Sequence, residues 1–102
     1  KDQKSISDFD KTVYASAYNS KDAIRASNAW YQAFPQDIED SKTYSKLTIP
    51  VIGIGGSGYE MLEMSLPNIT TNLQLKKIED TGHFILAEKP NETAKSIIDF
   101  LM

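Results

Sequence analysis

Leu73-Gln74-Leu75-Lys76-Lys77-Ile78-Glu79-Asp80-Thr81-Gly82-His83-Phe84 joins a strand-like run to a tight polar turn carrying the chain's single histidine. Residues 73–78 alternate apolar and polar, the period of a strand with one covered face, and Lys76 and Lys77 are charges of the kind that keep an edge strand from pairing further. Beyond the turn, Pro90 opens a helix in which Ala94, Ile97, Ile98 and Leu101 recur at i, i+3, i+4 and i+7, a stripe expected to pack on a sheet. Open α/β sheets place their chemistry just past the carboxyl ends of strands, and imidazole exchanges protons near neutral pH. His83 is therefore the first candidate for a catalytic residue.

Upstream, Ile49-Pro50-Val51-Ile52-Gly53-Ile54 is apolar on consecutive positions and β-branched, as suits a strand covered on both faces of a parallel sheet. Tyr59 to Leu66 reads as a two-turn helix stopped by Pro67. Two strands joined through a helix are expected to be parallel with a right-handed crossover, which brings residues 53–58 and 79–83 to the same sheet edge. The first strand is then left with an unpaired apolar edge, and this chain offers it no second neighbour.

Residues 1–47 have a different character, helical throughout and without glycine. A first helix starts behind Ser5 or Ser7, where Ser7 followed by Asp8 and Asp10 places a cap and negative charge at the helix N-terminus, and it ends near Tyr18. Asn19-Ser20 breaks and recaps, and Ala23, Ile24, Ser27, Trp30, Tyr31 and Phe34 recur along one face of a second helix that Pro35 should end or kink, with residues 37–46 a further short helical turn or loop. The expected fold class is α/β: a helical segment over 1–47, followed by a parallel β-α-β-α unit over 48–102.

Composition narrows the function. The chain has 102 residues, 40% of them hydrophobic, enough to bury roughly 60 to 70% of its unfolded surface in one modest core. A net charge of −3 with scattered lysines leaves no basic stripe for nucleic acid. With no cysteine and one histidine there is neither a disulfide nor a nitrogen or sulfur cage for a metal. The apolar runs are too short to span a membrane and no leader opens the chain, so a cytoplasmic protein is expected. Asn68-Ile69-Thr70 and Asn91-Glu92-Thr93 match the glycosylation triplet, which carries little weight without a secretion signal.

Gly53-Ile54-Gly55-Gly56-Ser57-Gly58 satisfies Gly-x-Gly-x-x-Gly after a strand and before a helix, with Glu79 about 20 residues on. That is the pattern of a dinucleotide-binding β-α-β unit of an oxidoreductase. Against it stand the early break at Pro67 and the helical block before the first strand, and a simple glycine turn accounts for the same residues. No cofactor is expected.

The order of helical segment, Pro50-Val51-Ile52-Gly53 strand, short helix, strand, Thr81-Gly82-His83-Phe84, Glu88-Lys89-Pro90 and a final amphipathic helix resembles the C-terminal part of α/β-hydrolase fold enzymes, most closely the epoxide hydrolase and haloalkane dehalogenase branch. Residues 1–47 then correspond to the end of the cap, or lid, and 48–102 to the last two strands and helices. The resemblance implies that His83 activates water to hydrolyse a covalent ester of a small-molecule substrate, with Gly82 letting the backbone turn so that the ring faces the cleft. It implies a proton-donating lid phenol at Tyr31, a residue whose helical stripe otherwise reads as packing. The acid that orients the histidine is in many epoxide hydrolases held after the next-to-last strand. Here that loop, Gly55-Gly56-Ser57-Gly58-Tyr59, has no aspartate, and Glu60 is one residue on; dehalogenase-like members carry the acid one strand earlier.

No Gly-x-Ser-x-Gly elbow occurs in the sequence. The chain thus reads as the tail of an enzyme, inactive alone, expected to form a homodimer or to associate with the missing N-terminal part. The remaining alternative is a non-catalytic oligomerising module.

Overall fold

The computed structural model describes residues 2–102, which divide into two compact units. One runs from Ile6 to Tyr44; the other comprises Ser45–Met102 with the described residues up to Ser5.

The first unit is a pair of helices, α1 (Asp8–Ala17) and α2 (Lys21–Ser41). Ser7 starts α1 through a reciprocal cap: its hydroxyl accepts from the Asp10 N–H at 3.1 Å, and the Asp10 carboxylate accepts from the Ser7 N–H at 2.9 Å. Ser20 caps α2 in the same sense, accepting from the Ala23 N–H at 3.0 Å. Of the two outcomes expected at Pro35, an end or a kink, the end does not occur: α2 runs on to Ser41, so helix continues into residues 37–41. Proline withdraws one N–H from the ladder, but the next turn is held from within, where the Gln36 side-chain amide donates to Asp40 at 2.8 Å and the Ser41 hydroxyl donates to the Ile38 carbonyl at 2.8 Å. Neither helix contains a buried residue; Trp30 is 75% exposed and Tyr31 70%.

In the second unit β1 (Val51–Gly55) and β2 (Leu73–Lys77) pair in parallel, Val51 opposite Leu73 and Gly55 opposite Lys77. The connection is α3 (Tyr59–Ser65), a 3-10 turn over Leu66–Asn68 that contains Pro67, and a bridge of Thr70 to Leu47 ahead of β2. α3 lies on the face that carries Gly53, Gly55 and Leu75. A Cβ on Gly53 would collide with Leu66 Cδ1 and come within 3.0 Å of Leu75 Cδ2, so glycine there makes room for the leucines. After β2 come α4 (Ile85–Glu88) and α5 (Pro90–Leu101). α5 lies along the other face, and a shallow groove of about 300 Å³ runs between it and the sheet, lined by Ile52, Gln74, Lys76, Lys95, Asp99 and Phe100 among others.

α5 presents a different face from the expected one. Its buried residues are Thr93 and Ser96, while Ile97, Ile98 and Leu101 are 39%, 57% and 74% exposed. Orientation is set by the Thr93 hydroxyl, which donates toward the carbonyls of Lys89 and Ile85 and so ties α5 to α4. Two strands make a sheet too narrow to cover a stripe spanning about 100° of helix circumference. The core is correspondingly thin: among the described residues Ile78, 2% exposed, is the one buried hydrophobic side chain. The threonines of both glycosylation triplets, Thr70 and Thr93, are buried and bonded to backbone carbonyls.

Candidate active site

Parallel pairing brings the two loops that follow β1 and β2 together at one sheet edge, and hydrogen bonds lock them. The Ile78 N–H donates to the Gly55 carbonyl at 2.8 Å and the Ser57 N–H to the Gly82 carbonyl at 3.3 Å. Contact is so close that a Cβ on Gly56 would overlap the Gly82 carbonyl oxygen and sit 2.7 Å from Thr81 Cγ2. A Cβ on Gly55 would come within 2.8 Å of the Tyr59 backbone. Of the glycines that match the dinucleotide pattern, Gly53 and Gly55 are thus accounted for by helix-on-strand packing, while Gly58 has open space where a side chain would stand.

The chain reverses at Asp80, whose φ of 51° lies in the left-handed region that aspartate tolerates better than most residues. Gly82 had been expected to supply this freedom; no glycine among the described residues has a positive φ, and Gly82 instead makes the close approach to Gly56. Thr81 and Gly82 are buried, and His83 emerges into solvent directly after them. Its ring meets Phe84 edge to face at 5.2 Å, and no described residue hydrogen-bonds the imidazole. The His83 carbonyl accepts from the Ile85 N–H at 3.1 Å, which turns the chain into α4. From α4, Glu88 reaches back: one carboxylate oxygen accepts from the Gly82 N–H at 2.8 Å and the other from the Asp2 N–H at 2.6 Å. In the sequence Glu88 stands out only as part of Glu88-Lys89-Pro90; its hydrogen bond to Gly82 is not visible in spacing, and the available signal is an acid five residues after the histidine and just ahead of a helix-opening proline.

Glu60, in the first turn of α3, faces Lys77 at the end of β2, with Oε1 3.5 Å from Nζ. Its carboxyl is held below the ordinary carboxylate range, first by its own backbone N–H and then by the Lys77 charge. The same ammonium stands 5.7 Å from the centre of the Tyr59 ring. Together with Gly56, Ser57, Asp80 and Thr81 these two residues line a cleft of about 290 Å³, and His83 is not one of its walls. Inside that lining the Thr81 hydroxyl is buried without a hydrogen-bond partner. Tyr31 belongs to the other unit, where its ring packs against Phe34 at 5.3 Å. Among the described residues no cluster of three or more acids, histidines or cysteines could hold a metal ion, and no helix is long and apolar enough to cross a membrane.

A parallel β-α-β-α unit with helices on both faces and an exposed histidine after its last strand is a partial α/β-hydrolase fold. Superposition on Cfl2 from Burkholderia cenocepacia gives a TM-score of 0.86 at 25% identity, over 97% of this chain and 35% of that one. In sequence the chain is 30% identical over 98 residues to a soluble epoxide hydrolase of Corynebacterium sp. strain C12, covering 93% of this chain and 34% of that enzyme. It is 31% identical over 88 residues to human monoacylglycerol lipase ABHD6, covering 76% of this chain and 26% of the lipase. No family model matches. The chain therefore spans about a quarter to a third of the length of these relatives.

Proposed function

We propose that this chain is the histidine-bearing, C-terminal part of an α/β-hydrolase that turns over a small organic substrate through a covalent ester, and that it is inactive alone. The observation that carries the reading is the placement of His83, solvent-facing at the carboxyl end of β2 on a turn clamped to the neighbouring loop. In the proposed step the imidazole takes a proton from water as the water oxygen bonds to the ester carbonyl carbon. The tetrahedral adduct then collapses, the ester C–O bond breaks, and the proton passes from His83 to the departing oxygen. Nucleophile and oxyanion donors come from outside residues 1–102.

Tyr31 is proposed as the lid phenol that donates a proton to a leaving oxygen. Glu60, engaged by Lys77, is a poor candidate for the acid that orients the imidazole, and the dehalogenase-like arrangement, with the acid one strand earlier, suits the site better. His83→Gln in a full-length protein carrying these residues is the test. Turnover should stop while a covalent ester accumulates and is seen as added mass on the protein; normal multiple turnover by the variant would refute the assignment.

A further inference from the structure

We infer that Glu88 is a positioning residue for His83, holding the imidazole in register for water activation through the Gly82 peptide; the inference rests on the general-base reading of His83. The backbone on both sides of His83 is fixed by hydrogen bonds. Ahead of it, the Gly82 N–H donates to Glu88 Oε2 at 2.8 Å and the Gly82 carbonyl accepts from Ser57 at 3.3 Å. Behind it, the His83 carbonyl accepts from Ile85. Of these, only the Glu88 bond is made by a side chain, and it is charge-assisted, the stronger kind.

Glu88 is itself anchored. Its N–H donates to the Phe84 carbonyl at 3.0 Å, and the buried Thr93 hydroxyl fastens the start of α5 to α4 through the Lys89 and Ile85 carbonyls. Position passes from α5 through Thr93, α4 and Glu88 to Gly82, one bond from the histidine. Without the carboxylate, the buried Gly82 N–H loses its acceptor and the turn must relax to recover one. Among the described residues the imidazole has no hydrogen bond of its own, so within this chain its aim depends on its backbone and on the edge-to-face contact with Phe84.

The experiment is single-turnover kinetics on a full-length protein that carries these residues, with ester formation and ester hydrolysis followed separately. Glu88→Ala should slow hydrolysis about 10- to 100-fold, the range expected when a catalytic group is misplaced by about 1 Å, and leave ester formation unchanged. Glu88→Gln, whose amide oxygen still accepts from Gly82, should restore hydrolysis to within about threefold of wild type. Should the alanine variant fail to fold, Glu88→Asp keeps the charge, falls a methylene short, and should show the same split. Equal slowing of both steps, or hydrolysis at the wild-type rate in Glu88→Ala or Glu88→Asp while His83→Gln is arrested, would overturn the positioning role. Normal turnover of His83→Gln would instead remove the reading of His83 beneath it.

Discussion

At Gly56 the site depends on the absence of a single methyl group. Gly56→Ala should cost about 1–3 kcal/mol because its Cβ meets a backbone carbonyl, which cannot move aside as a flexible side chain can. Gly58→Ala, where nothing lies within 4 Å of the added carbon, should leave the urea midpoint almost unchanged. Equal effects from the two would show that the loops do not touch. Glu60 offers a second test. Its pKa in the folded protein is depressed, so the pairing it makes is present above the unfolded carboxylate value near 4.3 and is lost as pH falls through the lower folded value. Carbon-detected titration should give a midpoint below that reference, and Lys77→Met should raise it only in part, because the largest single cause, the residue's own N–H, stays in place. At this scale His83 was legible from its place after an alternating strand. Glu88 and Asp80 were not, because a hydrogen bond reaching back six residues and a reversed φ leave no period in a sequence.

Among the elements, α1 is the clearest case of local chemistry fixing a boundary. Ser7→Ala removes the hydroxyl half of the cap and leaves the backbone N–H of residue 7 to the Asp10 carboxylate, and about 1 kcal/mol of helix stability should go with the lost hydroxyl, visible as lost helicity by circular dichroism. The Asp10 titration should move upward in the same variant, since the Ser7 hydroxyl is first among the groups that hold its carboxyl low. An unchanged titration would mean that the reciprocal cap does not form in solution. Both strands, the caps at Ser7 and Ser20 and the start of α5 were readable from propensity and punctuation. The length of α2 past Pro35 was not, because one missing donor is a local loss and the turn that follows is held by its own side chains. Nor was the rotation of α5, because periodicity finds an apolar stripe without telling how wide a surface is present to receive it.

For the whole molecule, apolar surface exceeds what one thin core can take in. β1 pairs with β2 alone among the described strands, and the apolar flank of α5 stays exposed. Isolated, residues 1–102 should self-associate at micromolar concentration in light scattering, most simply as a two-fold dimer; a well-dispersed monomer would refute this. The same isolated chain should release no product from esters, epoxides or haloalkanes above background, since a base without a nucleophile has nothing to regenerate. Activity that survives purification and vanishes with His83→Gln would contradict that expectation. The buried Ile78, its N–H bonded to the Gly55 carbonyl, also makes the chain uneven in time. In heavy water, amides of α1 and α2, helices without a buried residue, should trade their hydrogens early. Those of Ile78 and Gly82 should trade last, so the segment that presents the histidine would keep its shape through fluctuations that have already opened the helices before it.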